Sequence, residues 1–247
     1  MSHPARILLP LAVVWLVIGC GYRGPKQYID FVAAGSTAAA PAAVTQAADA
    51  LQVRLRSVQG TNVSVQGDRI RVGVPANEDR KRIIAICTKH GELTFVLMPK
   101  HLAMVAGNHE LWEDQRAGKQ LTAAEALKAG TRAFDGRDLA PKSAVIPSDR
   151  PNEFGVRFEF RRDRRNAFKT FTAKHVASTL AIALDDEILM APVIKSPVPG
   201  TGVISGGFDA QEAADLRDLI NSGPLPMDLR VDEPGKGGAT QTDSGQT

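Results

Sequence analysis

The sequence predicts an α+β protein built from a ferredoxin-like base lobe and a second α+β head lobe. Apolar residues recur at every second position in some segments, which is typical of strands, and at three- and four-residue spacing in others, which is typical of helices. The 247 residues are 43% hydrophobic and 23% charged, so the chain can bury one large core or two small ones. A polytopic membrane protein is excluded, because the longest apolar run covers only residues 7–18 and a spanning helix needs about 20 residues.

The N-terminal residues are arranged like an export signal. Arg6 is the only fully charged side chain before a short apolar stretch, which ends at Gly19 and Cys20. Small residues before a cysteine are typical of the bacterial lipobox, in which that cysteine is diacylated. We therefore predict a lipoprotein signal peptide over residues 1–19, cleavage between Gly19 and Cys20, and a tether over residues 20–26. The alternative is ordinary signal cleavage, but the small-residue sites near Ala38 lie far beyond the apolar stretch.

The lipid on Cys20 would hold the protein on a bacterial membrane, facing the periplasm or the cell exterior. The chain has two cysteines, and lipidation of Cys20 leaves Cys87 without a partner, so no disulfide is predicted in the monomer. Cys87 follows Ile83 and Ile84 at helical spacing, which favours a buried thiol over a nucleophile.

The base lobe is predicted over residues 27–100 in the order βαββαβ, which is the ferredoxin-like arrangement. Its first helix buries Leu51 and Leu55 and closes at Gly60, and its second is capped by Asn77. The predicted strands cover residues 27–33, 63–65, 70–74 and 93–97, with a hairpin turn at residues 66–68. The last of these strands is expected to close the base sheet.

Three further segments complete the predicted organisation. Residues 101–150 are expected to form an irregular insertion with one short helix, which opens with the capping box from Thr122 to Glu125. Residues 151–231 are the head lobe. Its predicted elements are a strand over 156–160, a helix from Asp163, strands over 179–184 and 188–194, a strand near Val203, and a helix capped by Asp209. Residues 232–247 contain one apolar side chain, Ala239, and are predicted to be a disordered tail.

Three ordered sequence blocks carry a family resemblance. They are the strand pair over residues 180–194, the glycine turn and strand over 199–208, and the Gly-x-Leu-Pro exit over 221–226. Together they resemble the periplasmic region of the protein-export membrane subunit SecD. Residues 63–75 and 92–97 resemble the base of that region more loosely, so the likeness covers most of residues 45–231. Residues 101–150 match nothing that we recognise in the family.

The resemblance implies a first periplasmic region built as a ferredoxin-like base and a head, which engages polypeptides emerging from the translocation channel. In the family, membrane helices follow the Gly-x-Leu-Pro exit, whereas here the chain continues into a polar tail from Asp232. We therefore expect a stand-alone lipoprotein without the proton-driven membrane motor, in which the lipid on Cys20 replaces the membrane attachment of SecD.

A group of histidines and carboxylates around Trp112 raises the question of a metal site. The spacing contains no helical His-x-x-x-His pair, and no cysteine is nearby, so we favour a solvated loop or a head-lobe surface. We predict no metal, no cofactor and no catalytic residue. The residues concerned are His101, His109, Glu110, Glu113 and Asp114.

Five arginines at the start of the head lobe form the densest basic patch, which by composition could bind nucleic acid. An exported protein seldom meets nucleic acid, Phe158 and Phe160 fall on the opposite strand face, and Asp163 interrupts the charge. The pattern therefore favours a partner or lipid head-group surface and no nucleic acid. The five are Arg157, Arg161, Arg162, Arg164 and Arg165.

Three functions follow from these features. The first is a non-enzymatic, lipid-anchored protein that binds unfolded polypeptides or export machinery in protein export or post-translocation handling, by strand addition at an exposed sheet edge. The second is an assembly module that docks onto a folded cell-envelope partner, with the arginine patch setting its orientation. The third is a metal-dependent enzyme around His101 and His109.

Overall fold

The computed structural model describes residues 26–35, 39–105 and 110–232 of the chain. Within these ranges it contains fourteen strands, five α-helices and a short 3-10 helix at Gly136–Asp138. The strands are β1 (Lys26–Ala33), β2 (Asn62–Gln66), β3 (Arg69–Pro75), β4 (Leu93–Leu97), β5 (Leu102–Met104), β6 (Leu111–Asp114), β7 (Lys119–Thr122), β8 (Thr131–Asp135), β9 (Ala144–Pro147), β10 (Phe154–Glu159), β11 (Leu180–Leu184), β12 (Glu187–Met190), β13 (Thr201–Phe208) and β14 (Leu229–Val231). The helices are α1 (Pro41–Arg54), α2 (Arg80–Thr88), α3 (Ala123–Ala129), α4 (Arg162–Lys174) and α5 (Ala210–Ser222).

The base lobe is an antiparallel sheet in the order β14-β1-β3-β2, with α1 and α2 packed against it. β1 alternates as predicted, because Ile29 and Phe31 are buried while Tyr28 is exposed. The ferredoxin-like arrangement is therefore present, and α1 and α2 connect its strands in the expected order. The lipid-anchor residues Gly19 and Cys20 and most of the predicted tail lie outside the described residues, so those predictions stay predictions.

The predicted fourth strand of the base was wrong. Residues 93–97 form β4, which pairs with β11 and β8 in the head, and the base sheet is closed by β14 after the whole head has been formed. Thr94 and Val96 are buried together with Leu93 and Phe95, so β4 is a central strand with two covered faces. β14 has only three residues, which is too short to show a period in the sequence.

The head is built around the sheet β12-β11-β4-β8, which is buried on both faces. On one face lie the sheet β13-β10-β9 and helices α4 and α5, and on the other lie α3 and the sheet β5-β6-β7. The prediction of an irregular segment over 101–150 was therefore wrong. β5 to β9 have three to five residues each, and such short strands give little periodic signal.

Six phenylalanines form the centre of the head core. The rings of Phe160 and Phe168 stack with centroids 4.1 Å apart, and the other contacts within the group are edge-on or tilted at 5.3 to 6.1 Å. Aromatic pairs of this kind add to the stability gained from burial. The group therefore fixes β4, β8, β10 and α4 to one another. It consists of Phe95, Phe134, Phe158, Phe160, Phe168 and Phe171.

The helix starts test the capping predictions. The predicted capping boxes are present in α3 and α5, where Thr122 pairs with Glu125 and Asp209 with Glu212. The predicted cap of α2 was wrong, because Asp79 rather than Asn77 accepts the free amide, that of Lys81, at 2.9 Å. Asn77 and Asp79 are both favourable capping residues and stand two positions apart, so the sequence alone does not decide between them.

Arg54 lies where the chain crosses between the lobes. The first crossing runs from α2 to β4 and the second from α5 to β14. The buried guanidinium donates to the carbonyl oxygens of Lys89 and His90 at the first crossing, the latter at 2.7 Å, and to Gly223 at the second, at 3.1 Å. Gly91 has φ +85°, and a Cβ there would lie 2.4 Å from Arg54 Nη2, so this turn requires glycine.

Candidate functional site

The head contains an apolar cleft of about 400 Å³ that opens between its two sandwiched sheets. Phe95, Phe158 and Phe168 line its floor, and Val193 and Val203, which are 52% and 41% exposed, stand at its mouth. We call this hollow the apolar cleft. Its volume is within the range of small-ligand pockets, and its lining is suited to an apolar side chain.

The rim of the apolar cleft is the segment between β12 and β13, residues 191–198. Its Ile194 amide donates to Ser178 O at 2.9 Å and its Val198 amide donates to Thr172 Oγ1 at 2.9 Å. The Thr172 hydroxyl donates in turn to Phe168 O at 3.0 Å within α4. These bonds hold the rim in place although it contains no helix or strand, so the cleft has a defined shape.

β13 forms the wall of the apolar cleft through Gly202 and Val203. At Gly202 a Cβ would lie 2.5 Å from the Phe158 ring, so the glycine allows this ring to lie flat against the strand. β13 pairs with β10 on one side, and no described strand pairs with its other edge. Residues 201–208 include no charge and no proline, two devices that protect an exposed sheet edge. Residues 201–205 pair regularly with β10, and the register shifts between Ser205 and Phe208.

A second hollow of about 720 Å³ lies at the other end of β13, where Gly206 and Phe208 line it. Asp185, Asp186 and Glu187 contribute carboxylates from the turn between β11 and β12. We call this hollow the acidic groove. A smaller hollow of about 240 Å³ continues it towards the first turns of α5.

The carboxylates of the acidic groove differ in their partners. Asp185 accepts hydrogen bonds from the amides of Gly91 at 2.9 Å and Glu92 at 2.8 Å, which ties the turn to the first crossing between the lobes. Glu187 pairs with Lys89 at 2.9 Å. Asp186 is exposed, and within the described residues no ion pair or hydrogen bond engages it. The groove therefore retains negative charge.

The predicted basic patch is divided by contacts within the head. Arg164 Nε donates to Asp138 Oδ1 at 2.6 Å and lies 5.8 Å from the centroid of the Phe134 ring. Arg165 pairs with Glu159, and Arg161 Nε donates to Leu139 O at 3.1 Å. Arg157 and Arg162 are exposed, so a partner or lipid head-group surface stays a prediction for these two in particular.

The group of residues predicted around Trp112 is not brought together as a metal site in the described part of the chain. There, no three of the His, Cys, Asp and Glu side chains converge on one point, while His109 lies outside the described residues. Asp114 has a pKa below its usual value because its carboxylate accepts the amides of Ala117 and Arg116. Trp112 is fully buried in the small core beside β5 and α3.

The prediction of a buried Cys87 is confirmed. Its side chain has no exposed surface in α2, and burial raises the pKa of the thiol to about 12. A thiol with so high a pKa is protonated at neutral pH and a poor nucleophile.

The described helices include none with the length and apolar character needed to cross a membrane.

Together, these features define a two-lobed α+β domain whose head carries an apolar cleft beside an unpaired strand edge. The sequence comparisons agree with this class. Residues 110–227 match the family model of the SecDF P1 head subdomain. From the sequence alone, no likeness to the family was recognised over residues 101–150. The family model matches residues 110–150 of this segment, so that part of the prediction is corrected.

The similar proteins are subunits of the protein translocase. The chain is 34% identical to SecD of Acetobacter pasteurianus over 203 residues, which is 77% of this chain and 37% of that protein. It is 31% identical to SecD of Aquifex aeolicus over 159 residues, which is 64% of this chain and 29% of that protein. The chain thus spans only 37% and 29% of the length of these two relatives.

Solved structures show the same fold. A crystal structure of SecDF in a super-membrane-facing form has a TM-score of 0.66 at 23% identity, over 83% of this chain and 29% of the other. A structure of SecDF, described as a membrane component that enhances protein export, has a TM-score of 0.62 at 20% identity, over 84% and 98%. The resemblance is confirmed: the chain is a relative of SecD with the fold of its periplasmic P1 region.

Proposed function

We propose that this protein binds extended polypeptides outside the cytoplasm during protein export, with the head lobe as the binding part. The observation that carries the proposal is the unpaired edge of β13 beside the apolar cleft. An added strand would form backbone hydrogen bonds with this edge, and one of its apolar side chains would enter the cleft. Such a mode tolerates many sequences, because most of its hydrogen bonds involve only the backbone.

The relatives support this placement in export. SecD proteins are named as translocase subunits, and the SecDF whose fold is shared is described as enhancing protein export. The likeness is confined to the periplasmic region, so the proposal includes no proton-driven motor. A lipid on Cys20 would supply the attachment to the membrane.

Photo-crosslinking tests where a polypeptide binds. A benzoylphenylalanine at position 203 is expected to crosslink to a carboxymethylated, permanently unfolded protein. The matched control is position 65, because Val65 is 43% exposed and also lies on an edge strand, β2 of the base. Crosslinks from position 203 but not from 65 support the proposal. Equal labelling from the two positions, or no crosslink at saturating concentration, contradicts it.

Docking onto a folded envelope partner is the second candidate, favoured by the exposed side chains of Arg157 and Arg162. Charge reversal of both to glutamate would abolish capture of such a partner, while the crosslinking from position 203 would be unchanged. A single stoichiometric folded partner whose capture depends on these two arginines would favour the assembly role over polypeptide binding.

A further inference from the structure

β13 joins two hollows of different chemistry. Its Gly202 and Val203 line the apolar cleft, and its Gly206 and Phe208 line the acidic groove. β12 lies beside β13 and runs in the opposite direction, because Glu187 at its start lines the groove and Met190 at its end lines the cleft. A single extended segment that follows β13 therefore passes both hollows.

The spacing along β13 fixes the distance between the two hollows. Val203 lies opposite Arg157 of β10 and Phe208 lies opposite Phe154, because the register shifts between Ser205 and Phe208. Val203 and Phe208 are therefore separated by about three residues of regular strand, which is roughly 10 Å at about 3.3 Å per residue. A bound extended polypeptide has the same rise, so a side chain anchored in the cleft has its counterpart over the groove about three residues away.

The charge of the groove differs from that of the whole chain. The chain carries a formal net charge of +3, whereas the groove is lined by Asp185, Asp186 and Glu187 with Lys89 as its lysine. Leu189 and Phe208 of the same lining are apolar and only partly buried. A lysine or arginine can lay its apolar stem on such a floor and direct its charge towards the carboxylates.

We propose that the head prefers extended segments in which a lysine or arginine stands about three residues from a large apolar residue. The apolar side chain enters the cleft and the basic side chain lies over the groove, near Asp186. A glutamate or aspartate in place of the basic residue is repelled by the carboxylates of the groove. The inference rests on the proposed function, because it assumes that the segment follows the edge of β13.

The test measures dissociation constants of the full chain for fluorescent peptides by anisotropy. The probe is a short peptide of glycine, serine and threonine with one leucine and one lysine about three residues apart. The matched peptides replace lysine by glutamate or norleucine, or place it next to leucine. We expect binding about two- to fivefold tighter for lysine than for norleucine, as for exposed ion pairs, and a larger loss for glutamate. High salt should remove the difference.

Variants assign the preference to the groove. Asp186→Asn should reduce the preference for lysine over norleucine, and Asp186→Lys should reverse it. Asp68→Asn is the matched control, since Asp68 is an exposed carboxylate in the β2–β3 turn of the base. Val203→Asp at the mouth of the cleft should weaken binding of all the peptides.

The outcomes separate the inference from the proposed function. One outcome is that the peptides bind and Val203→Asp weakens their binding, but lysine gives no advantage over norleucine. Polypeptide binding then stands, and the charge preference is overturned. A lysine preference that Asp186→Lys leaves intact also overturns the inference, because it places the basic side chain elsewhere. If no peptide binds at any concentration, both are overturned.

Discussion

Arg54 is a buried cation without a carboxylate partner among the described residues. Five hydrogen bonds engage its guanidinium, four to backbone carbonyl oxygens and one to Ser222 Oγ at 3.1 Å. Several of these oxygens belong to the C-terminal ends of α2 and α5, where the helix dipole is negative. Burial lowers the pKa of Arg54 to about 10, and these carbonyl groups offset part of the lost hydration.

We predict that Arg54→Met lowers the free energy of unfolding by about 3 kcal/mol, because several buried carbonyl groups lose their donor. Urea unfolding followed by circular dichroism measures the change. The matched control is Arg56→Met, since Arg56 is exposed two residues later and should change stability by less than about 0.5 kcal/mol. Equal effects of the two substitutions would contradict a structural role for the buried guanidinium.

At the scale of elements, β1 and β3 are joined by an ion pair across the base sheet. Asp30 and Arg71 are directly opposite each other in the register and form two hydrogen bonds, at 2.7 and 2.8 Å. The hydrogen bond from Arg71 holds the pKa of Asp30 below its usual value. The pair lies at the surface, on the side of β1 away from the buried Ile29 and Phe31.

The lowered pKa of Asp30 makes the stability of the base depend on pH. The contribution of the pair is present above the pKa of the unfolded carboxyl, near 3.8, and is lost as the pH falls through the lower folded value. Asp30→Asn should therefore reduce the loss of stability between about pH 5 and pH 2, and urea midpoints across this range measure it. Asp68→Asn is the control. If both substitutions reduced the pH dependence of stability equally, the assignment of this dependence to Asp30 would be contradicted.

The elements also show which structural features the sequence predicts. The capping boxes of α3 and α5 each join two residues that are three positions apart, beginning at Thr122 and Asp209. The alternation of β1 likewise lies within its own eight residues, so these features can be predicted locally. The place of β4 depends on β8 and β11 and that of β14 on β1, and all of these partners are more than thirty residues distant. The apolar cleft was missed for the same reason. Its floor comes from β4, β10 and α4, its rim from residues 191–198 and its wall from β13, and its residues individually look like core.

At the scale of the whole molecule, the head is inserted between α2 and β14 of the base. The base sheet is complete only when the chain returns from the head, and Arg54 hydrogen-bonds to both crossings between the lobes. This arrangement places the apolar cleft and the edge of β13 in the head, on elements that take no part in the base sheet. Under the proposed function, membrane attachment through Cys20 would leave the proposed polypeptide-binding edge accessible.

The central claim is that a polypeptide adds to the edge of β13, and hydrogen–deuterium exchange of the full chain with and without an unfolded protein tests it most directly. β2 is the internal control, since it is also an edge strand without charged residues. We predict that saturating unfolded protein slows exchange of the amides in residues 201–208 and leaves those of 62–66 unchanged. Protection of β2 instead, or no protection of β13 at saturation, would contradict the account.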